Sequence, residues 1–206
     1  MSPRPYRSPR RAAAAQRTRA RVVAAAAALL AAPSGIAGFS LEAVAKKARV
    51  TRLTVYNQFG SRRALLEAVF DERAARGGLQ RIAEAMADAD PHGGLRRIIA
   101  IFCDFWSFDT AALSRLHAAG ATDAEFATSV RERNERRRHV LSVLVTRMAA
   151  ERGTDAKTSA DLIDVLFALT SLAFFEQLTR DGRATEAACR LVQALAAAAV
   201  DGAGLA

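Results

Sequence analysis

The sequence predicts an all-α protein. Alanine, the residue that most favours helices, is very frequent, whereas only 5 of the 206 residues are proline. Runs of β-branched residues are few, and no stretch of useful length alternates between apolar and polar residues as a half-buried strand would. Because 51% of the residues are hydrophobic, a chain of this length can bury one large core or two small ones.

The positive charge of the chain is concentrated at its N-terminal end. Residues 1–63 contain 13 Lys and Arg and one acid, Glu42, which gives a net charge of +12. Residues 64–206 contain 17 Lys and Arg and 20 acids, which gives −3 and a total of +9. Ordinary solvated surface charge is the alternative, but it would not separate so sharply. The asymmetry favours a polyanionic partner for the N-terminal third.

The first ten residues, MSPRPYRSPR, are expected to form a flexible basic arm. Basic arms of other DNA-binding proteins lie along phosphates or in a minor groove, and the alternative is a disordered leader without a role. A first helix is expected from Arg11 to Ala31, ended by Pro33 and Gly35.

The apolar stretch at residues 22–33 is not expected to be a signal peptide. It follows Arg10 and Arg11 as the apolar region of a signal peptide would, but it is mostly alanine, which is only weakly apolar. No segment reaches the apolar length that a bilayer span requires. The sequence therefore predicts a cytoplasmic protein with no membrane partner.

Two short helices joined by a tight turn are predicted within residues 41–60. Ser40 is a suitable N-cap for a helix from Leu41 to Ala48, whose apolar residues recur at helical spacing. Thr51 is a suitable N-cap for a second helix ending at Phe59. This helix-turn-helix leaves polar and cationic side chains facing outward, where hydroxyls, amides and cations suit phosphates and base edges. They are Lys46, Lys47, Thr51, Arg52, Thr54, Tyr56 and Asn57.

Further helices are expected over the rest of the chain. Ser61 is the expected N-cap of a helix that continues to Ala89, weakened or kinked at Gly77–Gly78. Residues 90–94, Asp-Pro-His-Gly-Gly, are expected to form a loop. Gly153 and Gly182 fall where C-caps belong. The remaining helices are expected at residues 95–108, 110–119, 123–152, 158–181 and 184–200.

Residues 38–70, GFSLEAVAKKARVTRLTVYNQFGSRRALLEAVF, resemble the DNA-binding segment of the tetracycline-repressor (TetR) family of bacterial transcriptional regulators. The specific part is Val55-Tyr56-Asn57-Gln58-Phe59 followed by Gly60-Ser61-Arg62-Arg63-Ala64-Leu65, and the close match covers residues 20–70. The resemblance implies a three-helix DNA-binding domain at residues 11–60. A fourth helix would join it to a helical ligand-binding and dimerisation domain at residues 61–206.

The resemblance also implies roles for individual residues. Ser40 and Tyr56 would reach phosphates, and Arg62, where the family usually has Lys, would hold another. Residues 51–54 would face the major groove. Arg49 stands where Gly is usual, and a left-handed conformation there would cost Arg on the order of 1 kcal/mol. Gln58 replaces a common His. The residues expected to contact DNA are Ser40, Lys46, Arg49, Thr51, Arg52, Leu53, Thr54, Tyr56, Asn57 and Arg62.

The C-terminal part suggests a ligand cavity and a dimer interface. Aromatic crowding around residues 101–108 suits a small apolar effector, although ordinary core packing is the alternative. Apolar residues cover more than one face of 158–181, and with 184–200 this surplus favours a homodimer over packing within one chain. The candidate ligand-binding residues are Phe102, Phe105, Trp106, His117, Phe126 and Phe167.

Three functions compete on the sequence alone. The first is a dimeric repressor that an apolar effector releases from a near-palindromic operator. The second is a DNA-binding regulator or nucleoid-type protein with no ligand. The third is an enzyme, which the sequence disfavours because no nucleophile–base pair, phosphate-binding glycine loop or HExxH is present. Cys103 and Cys189 lack metal-ligand spacing, so we expect no metal site. We also expect no catalytic residue and no cofactor.

Overall fold

A computed structural model describes residues 9–152 and 156–206, and all the regular structure in these ranges is helical. The predicted fold class is confirmed: an N-terminal helix-turn-helix region is followed by a larger helical region. The described α-helices are α1 (Pro9–Ala31), α2 (Leu41–Ala48), α3 (Arg52–Phe59), α4 (Arg62–Arg76), α5 (Ile82–Met86), α6 (Pro91–Phe108), α7 (Thr110–Thr122), α8 (Ala124–Arg152), α9 (Ala156–Leu169), α10 (Leu172–Thr179) and α11 (Thr185–Gly202).

The first three helices pack into a small core. Helix α1 contacts α2 and α4, and α2 contacts α3. Val22, Leu30, Val44 and Val55 are fully buried where these helices meet. Helix α1 also contacts α7, so the N-terminal helices touch the C-terminal part through α7 as well as through the chain connection at α4.

The C-terminal core is built around α6. This helix contacts α8 on one side and α11 on the other, and α9 packs against both α8 and α11. Ile98, Phe105, Leu144 and Leu166 are almost completely buried in this core. Helix α4 reaches from the N-terminal helices to α6 and α8, so the two parts share one contiguous cluster of buried residues.

The expected continuous helix from Ser61 to Ala89 is wrong. Helix α4 ends at Arg76, and a 3₁₀ turn at Leu79–Arg81 leads into α5. Gly78 adopts a positive φ of 86°, a left-handed conformation that ends the helix. Gly77 lies so close to α6 that a Cβ there would sit 2.6 Å from a ring carbon of Phe105. Gly78 is therefore required by the turn, and Gly77 is required by the close approach of the chain to α6.

The expected loop at residues 90–94 is also wrong, because these residues form the first turn of α6. The Asp90 carboxylate caps that turn by accepting hydrogen bonds from the backbone N–H groups of His92 and Gly93, both at 2.9 Å. Pro91 occupies the first helical position, where its missing N–H costs nothing. A sequence read as a proline–glycine loop is instead a capped helix start.

The helix expected at residues 158–181 is divided into α9 and α10, which meet at an angle of 51°. The hydroxyl of Ser171 caps α10 by accepting from the N–H of Phe174. Within the described ranges no single helix is both long and apolar enough to cross a membrane. The bent pair 158–169 and 172–179 reaches that length and composition only when both helices are counted together.

Two other expectations concern the ends of segments. Of the basic arm expected at residues 1–10, residues 1–8 lie outside the described residues, and Pro9 and Arg10 already belong to α1. Gly153 also lies outside them. Gly182 follows α10 with a positive φ of 82°, and its N–H donates to the carbonyl of Thr179.

Candidate nucleic-acid interface and adjoining cavity

Hydroxyl side chains begin three consecutive helices of the N-terminal region. The hydroxyl oxygens of Ser40, Thr51 and Ser61 each accept a hydrogen bond of 3.1 Å from a backbone N–H one turn later. These bonds satisfy donors that a helix start would otherwise leave unpaired. The Ser40 hydroxyl keeps its own hydrogen for an outside acceptor. The Thr51 hydroxyl lies 2.8 Å from that of Thr54, so one of these two hydrogens is used internally.

Helix α3 presents one face to the core and the other to solvent. Val55 and Phe59 are buried, whereas Leu53 is 66% exposed and Tyr56 is 56% exposed. Arg52 and Asn57 are also exposed, and Thr54 is half-buried. Leu53 and Tyr56 are two of the few large hydrophobic side chains that the described residues leave exposed. Helix α3 therefore offers a mixed apolar and hydrogen-bonding surface beside a cation.

Arg49 occupies the turn between α2 and α3 in the left-handed conformation, with φ 52° and ψ 50°. It is the one non-glycine residue with positive φ in the described chain. The backbone strain that we predicted for a left-handed Arg49 is therefore present. The side chains of Arg49 and Lys46 are both exposed, so two cations lie immediately before α3.

Arg19 holds α3 in place, a role that sequence reasoning missed. Its guanidinium donates to the carbonyl of Gln58 at 2.9 Å and lies 4.3 Å from the centroid of the Phe59 ring. A cation at the C-terminal end of a helix also interacts favourably with the helix dipole. Because the contact joins residues 39 positions apart, helix periodicity gave no signal for it.

Arg62 lies at the start of α4 and is already occupied. Its guanidinium pairs with the carboxylate of Asp123 at 2.8 Å and lies 5.6 Å from the centroid of the Phe39 ring. Asp123 is at the junction of α7 and α8, where its other oxygen accepts from the N–H of Phe126. The cation that the resemblance assigns to a phosphate therefore joins the helix-turn-helix region to the C-terminal helices in this structure.

A cavity of about 300 Å³ lies between α4, α6, α7 and α8. Phe102, Phe105, Trp106 and His117, four of the six candidate ligand-binding residues, line it. Phe126 does not line it, and its side chain is fully buried in the core. Phe167 also lies outside the lining, where its ring contacts a guanidinium group at 3.9 Å. The sequence thus located the aromatic wall but not its limits.

Helix α8 contributes charged residues to the cavity that sequence reasoning treated only as part of a charged helix. Arg133, Arg136 and Arg137 line the cavity together with Val130 and Val140. The spacing of Val130, Arg133, Arg137 and Val140 follows one helix face, which is the signal that could have found them. Burial lowers the pKa of Arg137 to about 10.

The polar groups of the opposite wall have definite roles. Nδ1 of His117 lies 2.9 Å from the carbonyl of Leu113, which places the proton of the neutral ring on Nδ1 and leaves Nε2 as an acceptor. Burial lowers the pKa of His117, and the nearby charge of Arg137 lowers it further. Trp106 donates its indole N–H to the carbonyl of Thr170 at 3.0 Å. Because its pKa is lowered, the imidazole of His117 is uncharged at neutral pH.

Known proteins resemble the chain in sequence over one segment and in structure over most of its length. Residues 22–69 match the family described as bacterial regulatory proteins, tetR family. No curated protein matches the chain. A TetR-like transcriptional regulator from Rhodococcus sp. RHA1 has a similar structure, with 20% identity, a TM-score of 0.65, and 90% of this chain and 96% of that chain covered. NalD, the secondary repressor of the MexAB-OprM multidrug efflux pump in Pseudomonas aeruginosa, gives 18% identity, a TM-score of 0.67, and the same coverage of 90% and 96%.

The capped helices α2 and α3 and the outward face of α3 define a protein of the helix-turn-helix class. Residues 22–69 match the tetR family of bacterial regulatory proteins, and over most of its length the chain has the fold of TetR-like regulators. The resemblance drawn from residues 38–70 is thereby confirmed.

Proposed function

We propose that this tetR-family regulator binds a near-palindromic DNA operator as a homodimer and represses transcription until a small effector enters the cavity. The observation that carries the proposal is the exposed face of α3, held by a buried core within a segment of net charge +12. A protein that acts on the chromosome of a bacterium works in the cytoplasm. NalD, whose structure is similar, is described as a repressor, and we assign the same direction of control here.

The proposed DNA contacts divide into two kinds. Arg52, Leu53 and Thr54 begin the recognition helix and would meet base edges in the major groove, where Arg pairs with guanine and an apolar side chain meets the thymine methyl group. The hydroxyls of Ser40 and Tyr56 and the nearby cations would meet phosphates, which position the protein without reading sequence. Phosphates would also be bound by the cations Lys46, Arg49 and Arg62. Thr51 and Asn57 are able to reach either a phosphate or a base edge.

The proposed dimer interface lies on α9, α10 and α11, within residues 158–181 and 184–200. Val165 on α9 and Leu195 on α11 are 44% and 41% exposed, and α9 packs directly against α11. The exposed residues around Leu195 include Ala194, Ala197 and Ala198, which allow a second helix to approach closely. Two recognition helices related by a twofold axis would read half-sites about 34–36 Å apart or a multiple of that distance.

The proposed effector site is coupled to the DNA-binding surface through α4. Phe70 and Asp71 on this helix line the cavity, and Arg62 stands at its N-terminal end beside the helix-turn-helix region. Eight residues of helix separate Arg62 from Phe70, a distance of about 12 Å. A ligand that displaces the Phe70 end of α4 would move the recognition helices apart. The open cavity favours this function over a ligand-free DNA-binding protein, whose aromatic residues would pack solidly.

Selection of genomic fragments by the purified protein, followed by mobility-shift titration, tests the DNA-binding part. We expect a near-palindromic motif to be recovered. Arg52→Ala should change the preferred bases, with about 1–3 kcal/mol lost at the affected position, whereas Tyr56→Phe should weaken binding to all sequences by a similar factor. Arg180→Ala, which removes an exposed arginine near the end of α10, is the matched control. An unchanged preference in Arg52→Ala would refute the proposed register of α3.

Sedimentation equilibrium tests the dimer. Leu195→Glu places a charge on the proposed interface and should convert the dimer into a monomer that no longer shifts the selected fragment. Gln80→Glu, at an exposed position outside the proposed interface, is the control for added charge. A wild-type protein that sediments as a monomer at micromolar concentration would refute the proposed assembly.

A further inference from the structure

Arg137 is a buried cation for which the described residues supply no counter-charge. Only 7% of the residue is exposed, and none of the described carboxylates forms a salt bridge with it. Its Nη1 donates to the carbonyl of Phe167 at 2.6 Å and to the hydroxyl of Thr170 at 2.8 Å. These neutral acceptors do not compensate its charge. An uncompensated buried charge is costly unless a partner of opposite sign is supplied.

One edge of the Arg137 guanidinium is buried without a strong hydrogen-bond partner. Nε has no hydrogen-bond partner among the described residues, and Nη2 makes only a 3.4 Å contact with Asn134. These two N–H groups point in parallel, which is the arrangement that binds both oxygens of a carboxylate. The buried Nε of Arg73 differs, because it lies 2.8 Å from the carboxylate of Asp109. Arg137 is therefore the buried arginine that lacks an acid.

The charge of the cavity wall has the same sign as Arg137. The lining includes Arg133, Arg136 and Arg137 and one acid, Asp71, so its net charge is +3 − 1 = +2 with neutral His117. Asp71 is already paired with Arg133 at 2.6 Å, and Arg136 is exposed at the rim. A neutral ligand would leave this excess positive charge uncompensated, and a cationic ligand would increase it.

The rest of the cavity is apolar and small. A volume of about 300 Å³ corresponds to roughly ten water molecules, so a ligand of roughly that number of non-hydrogen atoms fits. Apart from Asp71, Asn134 and His117, its walls away from the arginines are aromatic and aliphatic side chains. They belong to Phe70, Ala74, Leu79, Ile82, Phe102, Phe105, Trp106, Val130 and Val140.

We propose that the effector is a small amphipathic organic acid whose carboxylate pairs with the Nε–Nη2 edge of Arg137 and whose apolar body lies against the aromatic wall. This inference rests on the proposed function, since it names the chemical class of the effector. Arg137 also binds the carbonyl of Phe167 and the hydroxyl of Thr170, at the break between α9 and α10. The acid would thus bind a residue that contacts the segment of the proposed dimer interface.

The test compares three ligands that share one tail: octanoate, octan-1-ol and octylammonium. Trp106 is the single tryptophan of the chain and lines the cavity, so its fluorescence reports binding directly. We expect octanoate to bind the wild-type protein at least about tenfold more tightly than octan-1-ol, as a charge-assisted pair requires, and octylammonium to bind most weakly. Octan-1-ol binding as tightly as octanoate, or the absence of binding by all three, would overturn the proposal.

Two variants assign the preference to one side chain. Arg137→Met should reduce the preference for octanoate to within about twofold of octan-1-ol while leaving octan-1-ol binding in place. Arg136→Met, at the exposed rim of the same cavity, should retain a preference of at least about fivefold. Circular dichroism checks that both variants are folded. If Arg137→Met does not fold, the wild-type ligand series still decides the proposal. A folded Arg137→Met that keeps the full preference overturns it.

Release of the selected DNA fragment separates this inference from the function on which it rests. If octan-1-ol releases DNA as well as octanoate does, the effector is apolar, and the carboxylate proposal fails while the regulatory function stands. If octanoate binds through Arg137 but leaves the protein on DNA, the acid site stands and control of DNA binding by the cavity fails. Release by octanoate alone, lost in Arg137→Met, supports both.

Discussion

Replacing Asp123 by asparagine tests whether Arg62 must leave its ion pair with Asp123 before it can bind a DNA phosphate. The amide oxygen of the asparagine would remain able to accept from the N–H of Phe126, so the cap of α8 is kept while the charge that pairs with Arg62 is removed. If Arg62 binds a phosphate, wild-type protein must first break the ion pair. The variant starts with Arg62 free and should bind DNA more tightly.

The size of this effect follows from the exposure of the pair. The side chains of Arg62 and Asp123 are 34% and 25% exposed, so their 2.8 Å contact is partly screened and is worth about 0.5–1 kcal/mol. Both protomers of a dimer gain this energy. The sum is about 1–2 kcal/mol, or about 5–30-fold in affinity. Because Arg62 makes the same phosphate contact in both proteins, the slope of log K against log salt concentration should change little.

The assay is a mobility-shift or fluorescence-anisotropy titration at several salt concentrations, with Arg62→Ala and the double variant completing a mutant cycle. Urea unfolding of the same four proteins should give a coupling energy of about 0.5–1 kcal/mol between Arg62 and Asp123. Asp123→Ala should lose about 1 kcal/mol more because the cap is missing. If Asp123→Asn does not raise the affinity, Arg62 serves as a link between the two regions and the phosphate role is refuted.

Three further changes should alter stability in stated directions, each measured by urea or thermal unfolding. Arg49→Gly should stabilise by about 0.5–1 kcal/mol, because the relief of left-handed strain exceeds the entropy cost of glycine, and a destabilised variant would show that Arg49 makes compensating contacts. Gly77→Ala should destabilise by about 1–3 kcal/mol through its clash with Phe105, while Gly202→Ala, whose Cβ meets nothing within 4 Å, should not; equal effects would refute the close-approach argument. Because burial lowers the pKa of His117 below its ordinary 6.5, the unfolded chain binds more protons between the two values, so stability should fall on acidification below pH 6.5 by at most about 1.4 kcal/mol per pH unit, and His117→Gln should flatten that dependence.

The helix-turn-helix could be predicted because its determinants are local. The caps Ser40, Thr51 and Ser61 act on N–H groups three residues away, and the apolar spacing of α2 is complete within eight residues. Two of the errors arose where distant contacts bear on the local structure. Glycine is required at position 77 by the close approach of Phe105, 28 positions later, and the turn between α9 and α10 is held by Arg137, about 30 positions earlier. Periodicity does not carry such information.

The candidate sites show the same division between local and distant causes. The exposed residues of α3 follow from the buried positions Val55 and Phe59 by helix geometry alone, so the outward face was predictable. The pairing of Arg62 with Asp123 joins residues 61 positions apart and was not. It matters because Arg62 and Phe70 are on one helix: the ion pair fixes the N-terminal end of α4 against the α7–α8 junction, and the cavity acts eight residues later. A ligand that shifts α4 must therefore either break this ion pair or carry Asp123 with it. Asp123→Asn should tighten ligand binding to the DNA-free protein in the first case and leave it unchanged in the second.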